Sequence, residues 1–240
     1  MNAGVLYLAP VLLGDSDPAD AIPSGVQAVL RGLRHFIAEE PKGARAFLKS
    51  IGHPGPLAEL AIDRLAADAA PEMLGQLLAP LRAGASAAVL SEAGAPGVAD
   101  PGAPLVRRAH QAGIRVRPLV GPSSILLALM ASGLEGQRFA FHGYLPVAEP
   151  ELKRRLKALE ADSRTARRTE VFIETPYRND RLLQAIASTC ADDTLLCVAT
   201  DLTLPTEEIT TRTVAQWRAA APRIGKRPTV FLLLAGTRAR

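Results

Sequence analysis

The sequence predicts an α/β protein with mostly parallel sheet, on two features of its patterning. Short apolar runs, most of four to seven residues and several rich in β-branched or aromatic residues, recur along the chain and are followed by Gly, Pro or acidic residues. Between them lie stretches whose apolar residues fall three and four apart, the spacing of one helix face. Alternation of the two places helices against a sheet whose strands run mostly parallel.

Taken in order, Val5–Leu8 reads as the first strand and Phe36–Ala38 as the second. Pro71–Arg82 reads as a helix, because Ala70-Pro71-Glu72 puts proline in a first turn. Strand Ala87–Leu90 follows, then helix Pro104–Gln111, which Gly113 closes as a C-cap. Val116–Val120 is the next strand and Ser123–Ser132 the next helix. Strand Phe139–Tyr144, helix Glu151–Ala161, strand Val171–Ile173 and helix Asp180–Thr189 continue the series. Strands Leu195–Ala199 and Thr229–Leu234 complete it, with no internal repeat or low-complexity stretch.

Composition narrows the function classes. Of 240 residues, 48% are hydrophobic and 22% charged, which excludes a disordered chain, a collagen-like repeat and a coiled coil. The length allows one large domain or two small ones. Aromatics at 4% argue against a nucleic-acid surface built mainly on stacking. Cys190 and Cys197 are too few for a disulfide framework and read as small hydrophobes in or near a strand. The apolar run Leu6 to Leu13 lacks a basic lead and is cut by Pro10, so neither a signal peptide nor an anchor is expected. No stretch approaches the ~20 apolar residues of a membrane span, and a cytoplasmic protein without a membrane partner is expected. Charge is uneven: residues 151–240 hold 16 Lys and Arg against 11 Asp and Glu, while residues 1–150 hold 12 against 13. The densest basic stretch, Lys153 to Arg168, reads either as a solvated helix face or as a patch for a polyanion such as RNA.

Candidate chemistry concentrates in Val89 to Gly102, where three glycines, two prolines and two carboxylates follow an apolar strand and precede a helix. In open α/β sheets ligands bind outside the carboxyl ends of strands, where such loops lie. Glycine lets the backbone approach a ligand, and Glu92 and Asp100 could take hydroxyls or an amino group of a nucleotide-like ligand. As a purely structural loop, it would use Asp100 to cap the next helix. No P-loop, dinucleotide fingerprint, nucleophile elbow or zinc-helix motif is present, no metal site is expected, and the four histidines are isolated. Three other strand ends carry polar residues: Ala9 to Asp15, Val120 to Ser124, and Val171 to Arg178 with Glu174, Tyr177 and Arg178 close together.

Together these loops resemble the tetrapyrrole-methylase superfamily of S-adenosylmethionine-dependent methyltransferases, above all its branch acting on ribose 2′-oxygens of bacterial small-subunit ribosomal RNA. Leu90 to Gly102 is similar to S-D-A-G-T-P-x-x-S-D-P-G, and Gly113 to Ser124 to G-I-x-V-x-P-x-P-G-P-S/C. Ser132-Gly-Leu134, Phe139 to Pro146 and Glu174 to Arg178 resemble S-G-L, F-x-F-x-G-F-L-P and E-S-P-H-R, in the same order. The resemblance implies two α/β domains of the class III methyltransferase type, residues 1–118 and 119–240, with the cofactor in the cleft between them, and a homodimer. By position, Pro10, Glu92, Ala93, Gly94, Ala95, Pro96, Ala99, Asp100, Ser123, Ser124 and Thr229 would line the cofactor site.

The sequence also departs from that branch. T-P-I-G-N-L is here Ala9 to Asp15, and the acidic E-D-T-R is Glu39-Glu40-Pro41-Lys42 with Arg45 further on. In the late R-E-L-T-K-x-x-E-E motif, Thr200 replaces Arg and Leu204 replaces Lys, so a basic residue that could meet RNA is gone. A ribose hydroxyl has a high pKa, so its methylation calls for a general base, here Glu39 or Glu40, and a cation, here Arg178, with Glu174 as an alternative holder of Arg178. Three readings follow: a ribosomal RNA ribose methyltransferase, a methyltransferase on a small molecule such as a tetrapyrrole carbon, and a cofactor-binding protein without turnover.

Overall fold

The computed structural model describes residues 3–236, and the chain divides after Ser123 into two compact units. The first holds β1 (Val5–Ala9), α1 (Pro18–Ala21), α2 (Ser24–Arg31), β2 (His35–Ala38), α3 (Pro41–Ser50) and β3 (Ala61–Arg64). It continues with α4 (Pro71–Leu77), α5 (Ala79–Arg82), β4 (Ala87–Leu90), α6 (Ala103–Gln111) and β5 (Arg115–Pro118). Its sheet is parallel throughout, in the order β3-β2-β4-β1-β5.

The period-2 alternation of its strands explains the layers. Leu6, Ile37, Ala87 and Val89 face one side, with Leu74, Leu78, Leu81 and Leu105 of α4 to α6. Ala9, Phe36, Ala38, Ala88 and Leu90 face the other, with Leu30 of α2 and Phe47 and Leu48 of α3. A strand buried on both faces reads as a near-continuous apolar run, as these strands do. Gly113 closes α6 as the sequence predicts: it sits at φ +67°, its N–H reaches His110, and the Ile114 N–H reaches Ala109.

The same strand order sets a switch point. The chain leaves β1 toward β2 over the α2 face and leaves β4 toward β5 over the α6 face. β1 and β4 are neighbours, so their connections part in opposite directions and open a crevice at their carboxyl ends.

The second unit holds α7 (Ser124–Ser132), β6 (Phe139–Tyr144), α8 (Glu149–Ala166), β7 (Thr169–Glu174), α9 (Asn179–Thr189), β8 (Leu195–Thr200), β9 (Glu208–Thr213), α10 (Val214–Ala220) and β10 (Thr229–Leu234). Its order is β6-β7-β10-β8-β9, and only β6 and β7 pair in parallel. The expectation of mostly parallel sheet is therefore corrected here. Residues 201–207 are too few for a parallel crossover, so β8 and β9 form a hairpin; β10 then enters antiparallel between β7 and β8. α8, α9 and α10 cover one face through Leu156, Leu159, Leu182, Ile186 and Trp217, packed on Phe172 and Phe231. α7 packs against β8, β9 and β10. Among the described residues no helix is long and apolar enough to cross a membrane.

Candidate functional site

The crevice at the ends of β1 and β4 holds a concavity of about 560 Å³, within the range of small-molecule sites. Its walls come from the loop after β1 (Val11 to Ser16), the start of the loop after β4 (Ser91 to Ala93) and one face of α3 (Gly43, Phe47, Ser50). The two loops are joined by a bridge in which the Val11 N–H donates to the Gly94 carbonyl at 3.0 Å. Ser91 ties down the same carbonyl, its hydroxyl donating at 2.5 Å.

Gly94 is where three loops meet. It lies at φ +70°, and a Cβ there would stand 3.1 Å from Leu13, 3.6 Å from the Pro122 carbonyl and 4.0 Å from the Ser123 Cα. No other residue combines that backbone with that clearance. Pro10 is buried beneath, against Gly121. Further along, the Asp100 carboxylate accepts the N–H groups of Gly97 and Gly102, each at 3.1 Å. Gly102, not Asp100, takes the cap position of α6, so Asp100 braces the loop instead of capping the helix. Ala99 is held at φ +57°, a left-handed conformation that costs a non-glycine residue about 1–2 kcal/mol.

The predicted residues are thus distributed as follows. Glu92 and Ala93 line the concavity, while Pro10 packs against Gly121, Gly94 and Asp100 hold the loop that follows, and Ser123 adjoins Gly94. Ala95, Pro96 and Ala99 belong to the same loop outside the concavity wall. Glu40 is at the rim, but its carboxylate accepts the Lys42 N–H at 2.9 Å and so caps α3. Glu39 stands beside it with a carboxyl held above the ordinary range, first by burial, then by the carboxylates of Glu92 and Asp100, against the pull of Arg64. Three carboxylates of the predicted set therefore gather at the carboxyl edge of this sheet.

Arg178, Thr229 and Ser124 lie in the second unit. Glu174, buried, holds Arg178 through Nε at 3.0 Å and Nη2 at 2.5 Å and takes the Thr175 N–H as well. Thr229 is buried, its hydroxyl accepting from Asn179 Nδ2 and donating to the Arg227 carbonyl, and Ser124 opens α7.

Sequence reasoning missed the α3 face and Ser16. Glu40 followed by Pro41 is a helix start that could have revealed α3, but Pro41 and Gly43 obscure its apolar spacing. Ser16 Oγ is buried in the concavity wall with no hydrogen-bond partner, an unmet polar group that suits a ligand. That atom, the carboxylates of Glu40 and Glu92 at the rim, and the apolar Val11, Leu12 and Phe47 fit a ligand that is part apolar, part hydrogen-bonding and cationic at one centre. S-adenosylmethionine has that chemistry. Among the described residues no three His, Cys, Asp or Glu side chains gather to hold a metal.

Residues 17–217 match the family model described as Tetrapyrrole (Corrin/Porphyrin) Methylases. The chain is 34% identical over 203 residues to the Ribosomal RNA small subunit methyltransferase I of Xylella fastidiosa, covering 85% of this chain and 69% of that one. To the protein of that name from Escherichia coli O157:H7 it is 33% identical over 208 residues, covering 87% and 68%. The Pseudomonas aeruginosa protein is 33% identical, and the match covers 78% of this chain and 61% of that one. Among solved structures, the methyltransferase CobJ superposes with a TM-score of 0.64 at 19% identity, covering 100% and 97% of the two chains. Cobalt precorrin-4 methyltransferase, CbiF, follows with a TM-score of 0.59 at 18% identity, covering 96% and 94%. At that identity the likeness speaks for the fold.

Proposed function

The chain belongs to the tetrapyrrole methylases, a family of methyltransferases, and from that premise we propose that it methylates a ribose 2′-hydroxyl of small-subunit ribosomal RNA with S-adenosylmethionine. The observation that carries this reading is the match over most of the chain to the ribosomal RNA enzymes, whose identity stands well above that to the corrin enzymes of similar fold.

The cofactor supplies a methyl group on a positively charged sulfur. The loop after β4, from Glu92 to Asp100, and the loop after β1, from Pro10 to Ser16, would hold it, with Ser123 beside them; Thr229 braces the loop before β10. Val11, Leu12, Leu13 and Phe47 keep water from the reacting centre. A Glu39 carboxylate oxygen takes the proton of the attacking hydroxyl; its raised pKa makes it a stronger base than an ordinary carboxylate. Glu40, occupied in capping α3, holds that segment in place. Arg178, fixed by Glu174, offers its remaining N–H groups to a phosphate of the acceptor. Two copies form the working enzyme, an assignment supported by the exposed Leu126 and Met130 one turn apart on α7.

A second reading, methyl transfer to a tetrapyrrole, rests on Thr200 and Leu204 standing where the ribosomal RNA branch has cations. Labelled-methyl transfer to small ribosomal subunits and, in parallel, to a protein-free small-molecule extract separates the two. Label in the RNA, at a ribose, is expected. Label confined to the small-molecule fraction replaces the first reading by the second, and cofactor binding with label in neither leaves a binding protein without turnover.

A further inference from the structure

Tyr177 leaves 79% of its surface in water, in a chain where aromatic residues are scarce. The backbone beneath it is tightly held. Pro176–Arg178 forms a single 3-10 turn closed by the Arg178 N–H on the Thr175 carbonyl at 2.9 Å, with Glu174 gripping Arg178 from inside. Asn179 next to it is wholly buried, and its Nδ2 donates to the carbonyls of Gly225 and Arg227. The Asp180 carboxylate accepts the N–H groups of Ile224 and Gly225 at 2.7 and 3.2 Å. These bonds stitch the turn to the loop before β10 and place Lys226 Nζ 5.0 Å from the centre of the Tyr177 ring.

The charge at this edge is one-sided. Glu174 is paired with Arg178, Asp201 and Glu208 with Arg227, and Asp180 with backbone N–H groups, so these carboxylates are spent inward. Lys226 and Arg223 are exposed and, among the described residues, have no carboxylate within ion-pair distance. A ring on a braced turn, with a cation 5.0 Å from its centre, matches a nucleotide: a flat base to stack and a phosphate to neutralise.

We propose that Tyr177 and Lys226 form a platform on which an unpaired base of the RNA acceptor stacks, with Lys226 on the adjoining phosphate. The platform rests on the RNA reading above and adds a substrate-positioning site to it. Composition alone argued against a surface built mainly on stacking; one ring on a rigid turn suffices for one base.

The test measures binding of a labelled single-stranded RNA of about 12 nucleotides, a length within single-strand site sizes, by fluorescence anisotropy across a salt series. Methyl transfer to small subunits is measured in parallel. Tyr177→Ala is expected to weaken RNA binding on the order of tenfold with an unchanged salt slope, because stacking and not charge is lost. Tyr177→Phe, which keeps the ring, restores affinity to within about twofold, and Lys226→Ala lowers the salt slope by about one. Melting curves and S-adenosylmethionine affinity equal to those of the parent show that each variant is folded. A folded Tyr177→Ala protein that binds RNA within about twofold of the parent overturns the platform, whatever the methyl transfer. Tyr177-dependent RNA binding with label only in small molecules overturns the proposed function and with it the platform's role toward an acceptor. A parent protein that binds no RNA overturns the platform, and if the small subunit's RNA also takes no label the proposed function falls with it.

Discussion

Burial gives several side chains properties that solution values would not suggest. Cys190, at the end of α9, is buried, and desolvation with a further push from Glu160 drives its thiol up to about 12; burial raises Cys197 in β8 as well. Neither is a thiolate at pH 8, so iodoacetamide is expected to leave the native protein unlabelled and to modify both cysteines after denaturation. Rapid labelling of the native protein would contradict that. Glu39 makes the opposite kind of case, since its raised carboxyl is ionised at neutral pH only at a cost. Its protonated form is relatively favoured in the folded chain, so its contribution to stability is fully present below about pH 4.5 and is lost as pH rises through the raised value. Glu39→Gln should therefore melt higher than the parent at pH 7, by about 1 °C for a half-exposed group, with the gain gone at pH 4. A gain equal at both pH values would show that charge is not its cause. If Glu39 is the base, the same variant loses turnover while gaining stability.

Elements were legible where an apolar run marks them, whether buried or not. Ala87–Leu90, Phe139–Tyr144 and Thr229–Leu234 are readable from sequence to the residue because apolar runs define them. β3 (Ala61–Arg64) and β9 (Glu208–Thr213) were not, since both are edge strands largely open to water and read as polar. The single helix expected over Pro71–Arg82 divides at Leu78, because Pro80 has no N–H for the Gln76 carbonyl and crowds that turn. The candidate site shows the same division. The loop after β4 was conspicuous by its glycines, prolines and acids, whereas the α3 face that walls the concavity was hidden behind Pro41 and Gly43. The distance along the chain hid the meeting of Tyr177 with Lys226, which the buried Asn179 and the half-buried Asp180 bring about. Glu40 tests the α3 reading. Glu40→Ala removes the carboxylate that accepts the Lys42 N–H, and loss of a cap costs about 1 kcal/mol, a fall of about 2–4 °C in melting temperature. No change in melting temperature would mean the cap carries no stability.

At the level of the whole molecule, each unit encloses its own apolar core. The one tryptophan, Trp217, is buried in the second unit with its indole N–H on the Leu196 carbonyl. Leu30 is wholly buried in the first. Leu30→Ala should cost the first unit about 2–5 kcal/mol. In urea, the far-UV circular dichroism midpoint is expected to fall while the Trp217 fluorescence midpoint stays within error. Equal shifts in both signals would show the two units unfolding as one.

The parallel sheet of the first unit also fixes an order of events on the ribosome. Leu6 in β1 lies beside Ala87 and Val116, so β1 is made well before either of its neighbours. At 5–20 residues per second, its unpaired backbone edges wait on the order of ten seconds for β4 and β5 to emerge. For that interval the nascent chain carries an unpaired apolar strand. Its yield in cells should therefore depend on holdase chaperones and on translation speed between the codons for Val5 and Pro118.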